Sequence, residues 1–186
     1  MKYLMSVLCS ILLVGCVSST HSVSPSNNVS LLTTGDLSFL SQQSQRFAIH
    51  PSISQAYITD KLDSAQLMTQ IESAIVTQMV KKGYVQVSYT QSPDLLIGFG
   101  LATETQLSDQ EILSKIGLSA GLVTADVDSD KFEKGSVVVA LFSPNQPLPK
   151  WKVLAQGMTE IERSDDSRQQ RIDKLMQSML RSIPAN

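Results

Sequence analysis

Acid–base and nucleophilic chemistry needs histidine, cysteine or paired carboxylates at set spacings, and such residues are sparse in this chain. Histidine occurs twice, at His21 in a small-residue polar stretch and at His50 beside Pro51. A hydrolytic dyad or triad needs a histidine next to its nucleophile. His50 instead reads as a turn residue at a strand end. Asp126, Asp128 and Asp130 alternate as in a calcium loop, but Lys131 stands where the tight-turn glycine belongs and Val137 where the bidentate glutamate belongs. A solvated acidic turn is the expectation there. Gly98-Phe99-Gly100 lacks the third glycine and the phosphate-binding lysine of a nucleotide loop, so glycine easing a strand bend is the better reading. Among Glu104, Glu111, Glu133, Glu160 and Glu162 no pair stands out for glycosidase-type work. The chain is therefore expected to be no enzyme and to hold no metal or cofactor.

Cysteine tells more. Lys2 precedes an apolar run from Leu4 to Val14, which meets Gly15 and Cys16. A charged start, an apolar run and small residues before a cleavage point make a secretory signal. The run has about a dozen residues, too few to cross roughly 30 Å of hydrocarbon. Leu13-Val14-Gly15-Cys16 resembles the bacterial lipobox, which implies lipidation of Cys16 as the new N-terminus. Each buried methylene adds about 0.8 kcal/mol, so two or three acyl chains anchor where one does not. Val17 stands where an aspartate would favour retention in the inner membrane, which points to the outer membrane, periplasmic face. Cys9 leaves with the signal, so the mature chain has no thiol pair for a disulfide or a cysteine metal site.

The expected division is a signal peptide at 1–15, a lipidated cysteine and flexible tether at 16–35, and one domain at 36–186. Residues 17–30, VSSTHSVSPSNNVS, are too small and polar to offset the entropy of ordering them. Without Lys2, 14 Lys and Arg face 17 Asp and Glu, a net charge of −3. No basic cluster with interleaved aromatics is present, so nucleic acid is not an expected partner.

Several elements follow from periodicity. Gln45 to Ile49 is a short β-like run expected to stop at His50-Pro51, since proline cannot donate to a ladder. From Ser64, Ala65, Met68, Ile71, Ile75 and Met79 recur at helical steps, with Asp63 or Ser64 as cap and Gly83 as stop. Tyr84 to Thr90 alternates as a half-buried strand, and a short turn joins it to Leu95–Phe99, which predicts an antiparallel hairpin. Ser108 starts a helix with Ile112, Leu113 and Ile116 as its apolar side. Gly135 to Phe142 is a buried strand, followed by a turn and a strand from Lys150 to Ile161. A last amphipathic helix carries Ile172, Leu175, Met176, Met179, Leu180 and Ile183. The order β-α-β-β-(insert)-β-β-α predicts an α+β domain. Its sheet is mostly antiparallel, with about 4–5 strands, and two main helices pack on one face. Residues 103–133 leave open whether the insert is lid or core.

This order and its landmarks resemble the domain-of-unknown-function 4136 lipoproteins of Gram-negative envelopes. The matching residues are Phe47-Ala48-Ile49 with Pro51, Lys82-Gly83-Tyr84, Pro93-Asp94-Leu95-Leu96-Ile97, Lys134 to Val139, Trp151 to Gly157, and the terminal helix ending Ile183-Pro184. The resemblance covers roughly residues 36 to 184 and implies fold and address, but no chemistry. Ser143-Pro144 departs from the family, which usually carries an acidic residue there. Lys152 after Trp151 loosens the usual hairpin spacing.

Taken together, these features predict a non-enzymatic envelope assembly or maintenance accessory acting through contacts with envelope proteins. The alternative is a binding module for a small apolar or lipidic ligand held between the helices and the sheet. Trp151 and Tyr84 are the candidate partner contacts, weighed against packing between sheet and helix. The methionines Met68, Met79, Met176 and Met179 are expected in the core.

Overall fold

The computed structural model describes residues 29–40, 45–122, 128–162 and 164–186. Its elements are β1 (Val29–Gly35), β2 (Arg46–Tyr57), α1 (Ser64–Lys81), β3 (Val85–Gln86), β4 (Leu95–Thr103), α2 (Asp109–Ile116), β5 (Phe132–Phe142), β6 (Trp151–Glu160) and α3 (Asp165–Met179). The strands form one six-stranded sheet in the order β1-β6-β5-β4-β2-β3. Three pairings, β1/β6, β6/β5 and β5/β4, are antiparallel. The remaining two, β4/β2 and β2/β3, are parallel. The α+β class stands, but the sheet is mixed and has one strand more than expected.

Helix α1 begins where Asp63 Oδ1 accepts from the Gln66 amide at 2.9 Å, satisfying one of the helix's orphan donors. It ends at Lys82, and Gly83 takes φ +93°. A Cβ on Gly83 would also stand 2.9 Å from the Asn186 carbonyl, so glycine is needed there twice over. The chain after α3 is tied back to this corner. Lys82 Nζ donates to the Ile183 carbonyl at 2.7 Å, Tyr84 Oη to the Pro184 carbonyl at 3.2 Å, and the Asn186 amide to the Lys82 carbonyl at 2.8 Å.

Several expectations are corrected. β2 does not stop at Pro51. Its ladder with β4 is interrupted between Ile49 and Ser54 and then resumes, so the missing proline N–H falls in an irregularity. The predicted 84–99 hairpin is absent. β3 is two residues long and parallel to β2, because α1 returns the chain to the far edge of the sheet. Residues 88–91 turn instead: the Gln91 side chain accepts from the Ser88 amide at 2.8 Å, local bonding that competes with a ladder. The tether was expected to extend to residue 35, yet β1 pairs with β6 along Val29–Gly35. Residues 17–28 lie outside the described residues.

Alternation along the strands separates two apolar layers. One face presents Phe47, Leu95, Ile97, Val139, Leu141 and Val153 to α1 and α3. The other presents Ala102, Val138 and Leu154, against which α2 packs Ile112 and Ile116. The two main helices share one face as expected, but the insert places α2 on the opposite one. It is part of the packed structure.

Candidate functional site

The most concentrated polar chemistry lies under α2. Ser108 caps this helix through a reciprocal bond with Glu111, which fixes Asp109 in the first turn. Asp109 Oδ2 accepts from Lys134 Nζ at 2.7 Å and its Oδ1 from Gln156 Nε2 at 2.8 Å. Lys134 Nζ donates further to Glu104 Oε1 at 3.1 Å and to the Leu122 carbonyl at 3.2 Å. Gln156 Nε2 also donates to Ser136 Oγ at 3.0 Å. Lys134 and Gln156 are 4 % and 0 % exposed. Ser136 and Gln156 are cross-strand partners on the sheet face that α2 covers.

Burial works against the charge on Asp109, but the Lys134 and Gln156 hydrogen bonds and the lysine charge together outweigh it, and the carboxyl pKa is lowered. Burial likewise opposes the charge on Lys134, and its bonds to Asp109 and Glu104 outweigh it, so the ammonium pKa is raised. Both shifts move these groups away from neutrality. The pair is locked in its charged state, the opposite of what a general acid or base needs near neutral pH. Its role is to latch α2 to β5 and β6.

Two concavities flank the sheet. The first, of about 440 Å³, opens between the sheet and the α1/α3 layer. Leu67, Ile71, Leu101, Val137 and Ile172 line it together with Val29 and Leu31 of β1, while Arg168, Arg171 and Lys174 stand on its α3 side. The second, of about 670 Å³, lies on the α2 face beside Ile53, Gly98, Ile116 and Leu148. Gly98 belongs there because a Cβ would approach Ile53 Cγ2 to 2.7 Å, in keeping with glycine at a close backbone approach.

The residues singled out by sequence are dispersed. Cys16, His21 and Asp126 lie outside the described residues. Trp151 and Tyr84, the candidate partner contacts, are each 2 % exposed and belong to the main core. They are packing residues here, because Trp151 shares the face of Val153 and Tyr84 is held by the segment after α3. His50 packs its ring against Phe142 at 5.3 Å, and its Nδ1 accepts from the Ser52 amide. Asp128 pairs with Lys131 at 3.1 Å, and no cluster suited to a metal occurs among the described residues. Glu133 accepts from the Thr105 hydroxyl, and Glu111 is engaged by the Ser108 cap. Met79, Met176 and Met179 are buried.

Sequence reading missed Lys134 and Gln156, whose signal is a polar residue four positions before Val138 and two after Leu154 on the same strand faces. The expectation that no Gly-x-Ser-x-Gly pattern appears is also corrected, since Gly117-Leu118-Ser119-Ala120-Gly121 fits it. That pattern makes a nucleophile elbow only between a strand and a helix. Here it follows α2, with Gly117 as the helix's left-handed cap.

The sequence profile of the domain of unknown function DUF4136 matches residues 34–185. The chain belongs to the DUF4136 family. Among curated proteins none matches its sequence. The PelC dodecamer of Paraburkholderia phytofirmans shares the fold, with a TM-score of 0.54 at 9 % identity over 86 % of this chain and 99 % of PelC. A point variant of that dodecamer gives 0.53 at 10 % identity over 86 % of this chain and all of the variant. A DUF4136 protein from Bacteroides thetaiotaomicron gives 0.47 at 14 % identity, over 86 % of this chain and all of that one.

The DUF4136 landmarks have structural roles. Asp94 of the Pro93-Asp94-Leu95-Leu96-Ile97 segment accepts from the Arg46 amide at 2.8 Å, fastening β4 to β2. The departures at Ser143-Pro144 and Lys152 leave the β5/β6 hairpin regular. Leu141 pairs with Trp151, and the Gln146 amide closes the turn on the Ser143 carbonyl at 3.0 Å. Lys152 Nζ bonds the Ile116 carbonyl, serving the carbonyl end of α2.

Proposed function

We propose that this DUF4136 chain is a lipid-anchored protein of the outer membrane's periplasmic face. In this reading it serves envelope assembly or maintenance through protein contacts, including contacts between its own copies. The observation that carries the reading is β1. It stands at the edge of the sheet with the sequence VSLLTTG, free of charge and proline, and keeps Val29, Leu31 and Leu32 37–42 % exposed. Sheet edges ordinarily avoid pairing by means of lysine, proline or a bulge; this edge has none of them and suits strand addition. PelC, which shares the fold, is described as a dodecamer, a precedent for self-association.

The anchor and the edge are close in sequence. Val29 lies 13 residues after Cys16, so at ~3.5 Å per residue the tether reaches at most about 45 Å. Lipid on Cys16 would confine the β1 edges of neighbouring copies to one shallow layer and raise their effective concentration. Two measurements test this. Cys16→Ser should abolish palmitate labelling and block maturation; unchanged labelling would refute the anchor. A photo-crosslinker at Leu32 in intact cells should capture a second copy or a reproducible envelope protein, and persistent monomer would refute the contact.

A further inference from the structure

We propose that β1 pairs with β1 of a second copy, antiparallel about a two-fold axis at Leu32, so that two chains close into one continuous sheet. This rests on the self-contact reading above and fixes its partner, register and stoichiometry. The two edges of the sheet are unlike. At the far edge β3 is two residues long, and the Ser88 amide just beyond it is taken by the Gln91 side chain. The stretch of β2 that β3 leaves uncovered contains Pro51 and the interruption between Ile49 and Ser54. A very short strand, a proline and a bulge are devices that keep a sheet edge from pairing. β1 instead has seven residues paired to β6 without a break. With one adhesive edge per chain, two copies satisfy it by meeting like to like, an isologous contact that closes at two.

Hydrogen bonding sets the register. The Asp36 amide donates to the Lys150 carbonyl at 2.9 Å, one step beyond the Gly35–Trp151 pair. Bonded and non-bonded pairs alternate along an antiparallel ladder, so Thr34, Leu32 and Ser30 turn their N–H and C=O groups to β6. Those of Gly35, Thr33, Leu31 and Val29 point out of the sheet, and a new ladder must join these residues to one another. Placing the axis at Leu32 sets Val29 opposite Gly35 of the second copy and Leu31 opposite Thr33, so all seven residues pair. Moving it to Leu31 or Thr33 loses two residues from each strand. The side chains agree with the Leu32 axis. Leu32 shares the α2 face with its β6 partner Leu154 and meets its own counterpart, while Leu31 lies on the other face with Ala155. Both exposed leucines thereby become cross-strand pairs, the unit of sheet stabilisation. The two Val29 residues come to lie ~20 Å apart, so tethers from both reach one membrane.

The test uses single-cysteine variants of the mature lipidated chain in phosphatidylcholine vesicles, oxidised with copper phenanthroline, with the native chain as background. Like residues stand about 4.5 Å apart at a non-bonded Leu32 pair, within disulfide reach, but ~14 Å apart at Ser30 and at Thr34. Leu32→Cys should therefore form a disulfide-linked dimer at least tenfold faster than Ser30→Cys or Thr34→Cys alone. Mixing Ser30→Cys with Thr34→Cys should restore rapid cross-linking, because these two positions face each other across the axis. The substitutions lie on an edge strand and should leave the melting temperature unchanged. Sedimentation of the native chain should give two copies. Equal rates for the three variants, a mixture no faster than its parts, or an assembly larger than two would overturn the symmetric pairing and leave the self-contact reading standing. A native chain that stays monomeric would overturn both.

Discussion

Replacing Lys134 with methionine keeps the apolar stem of the side chain and deletes its three hydrogen bonds to Glu104, Asp109 and the Leu122 carbonyl. Hydrogen bonds to charged groups contribute about 1.5–3 kcal/mol each, and breaking a fully buried pair costs roughly 3–5 kcal/mol. The discount is large here because the Glu104 and Asp109 side chains are 44 % and 31 % exposed, so water recovers part of the loss. Asp109 also keeps its Gln156 bond. A net cost of about 2 kcal/mol follows, or a fall in melting temperature of roughly 4–8 °C for a domain of this size. The pH dependence has a definite sign. Asp109 has a lowered folded pKa, so its contribution is present above the ordinary 3.8 and is lost as pH falls through the depressed value. Lys134 has a raised pKa, so its share is present below 10.5 and lost only as pH climbs through the raised value. Calorimetry of both proteins at pH 7 and in steps below pH 4 should show the gap at pH 7 shrinking as acid is added. An unchanged melting temperature at pH 7, or a gap that persists undiminished in acid, would refute the latch.

Other perturbations probe the frame around that latch. Trp151→Ala removes a 2 % exposed ring from the main core and should cost about 3–5 kcal/mol, read by urea unfolding; a loss under 1 kcal/mol would return Trp151 to the surface. Gly83→Ala, at φ +93° and against Asn186, should cost about 1–3 kcal/mol, with hydrogen exchange rising first in the segment after α3. Asp63→Ala should remove about 1 kcal/mol through the lost α1 cap, and Asp63→Asn should restore most of it.

What the sequence disclosed divides along physical lines. α1 was legible from Asp63 to Gly83 because cap, apolar stripe and stop all lie within one local stretch, and Ser108 announced α2 in the same way. The β5/β6 hairpin was legible because its strands adjoin across a short turn. β1 was not, since nothing local orders VSLLTTG; its partner β6 lies more than a hundred residues on. Val85, Val87 and Tyr89 alternate as a strand would, yet Val85 and Tyr89 are exposed and the chain turns at Ser88. Alternation cannot distinguish an inner strand from a polar turn at a sheet edge. The Lys134 latch depends on register between β5 and β6 and on α2 crossing above both, distances that no spacing in the sequence encodes.

The central claim is that copies of this chain meet through the β1 edge. Sedimentation of the mature lipidated protein in detergent, beside its Leu32→Lys variant, tests it most directly. The account predicts a discrete oligomer for the native chain and a folded monomer of unchanged melting temperature for the variant, whose charge on an exposed edge blocks strand pairing. A native chain that sediments as a monomer, or an oligomer that survives Leu32→Lys intact, would contradict it.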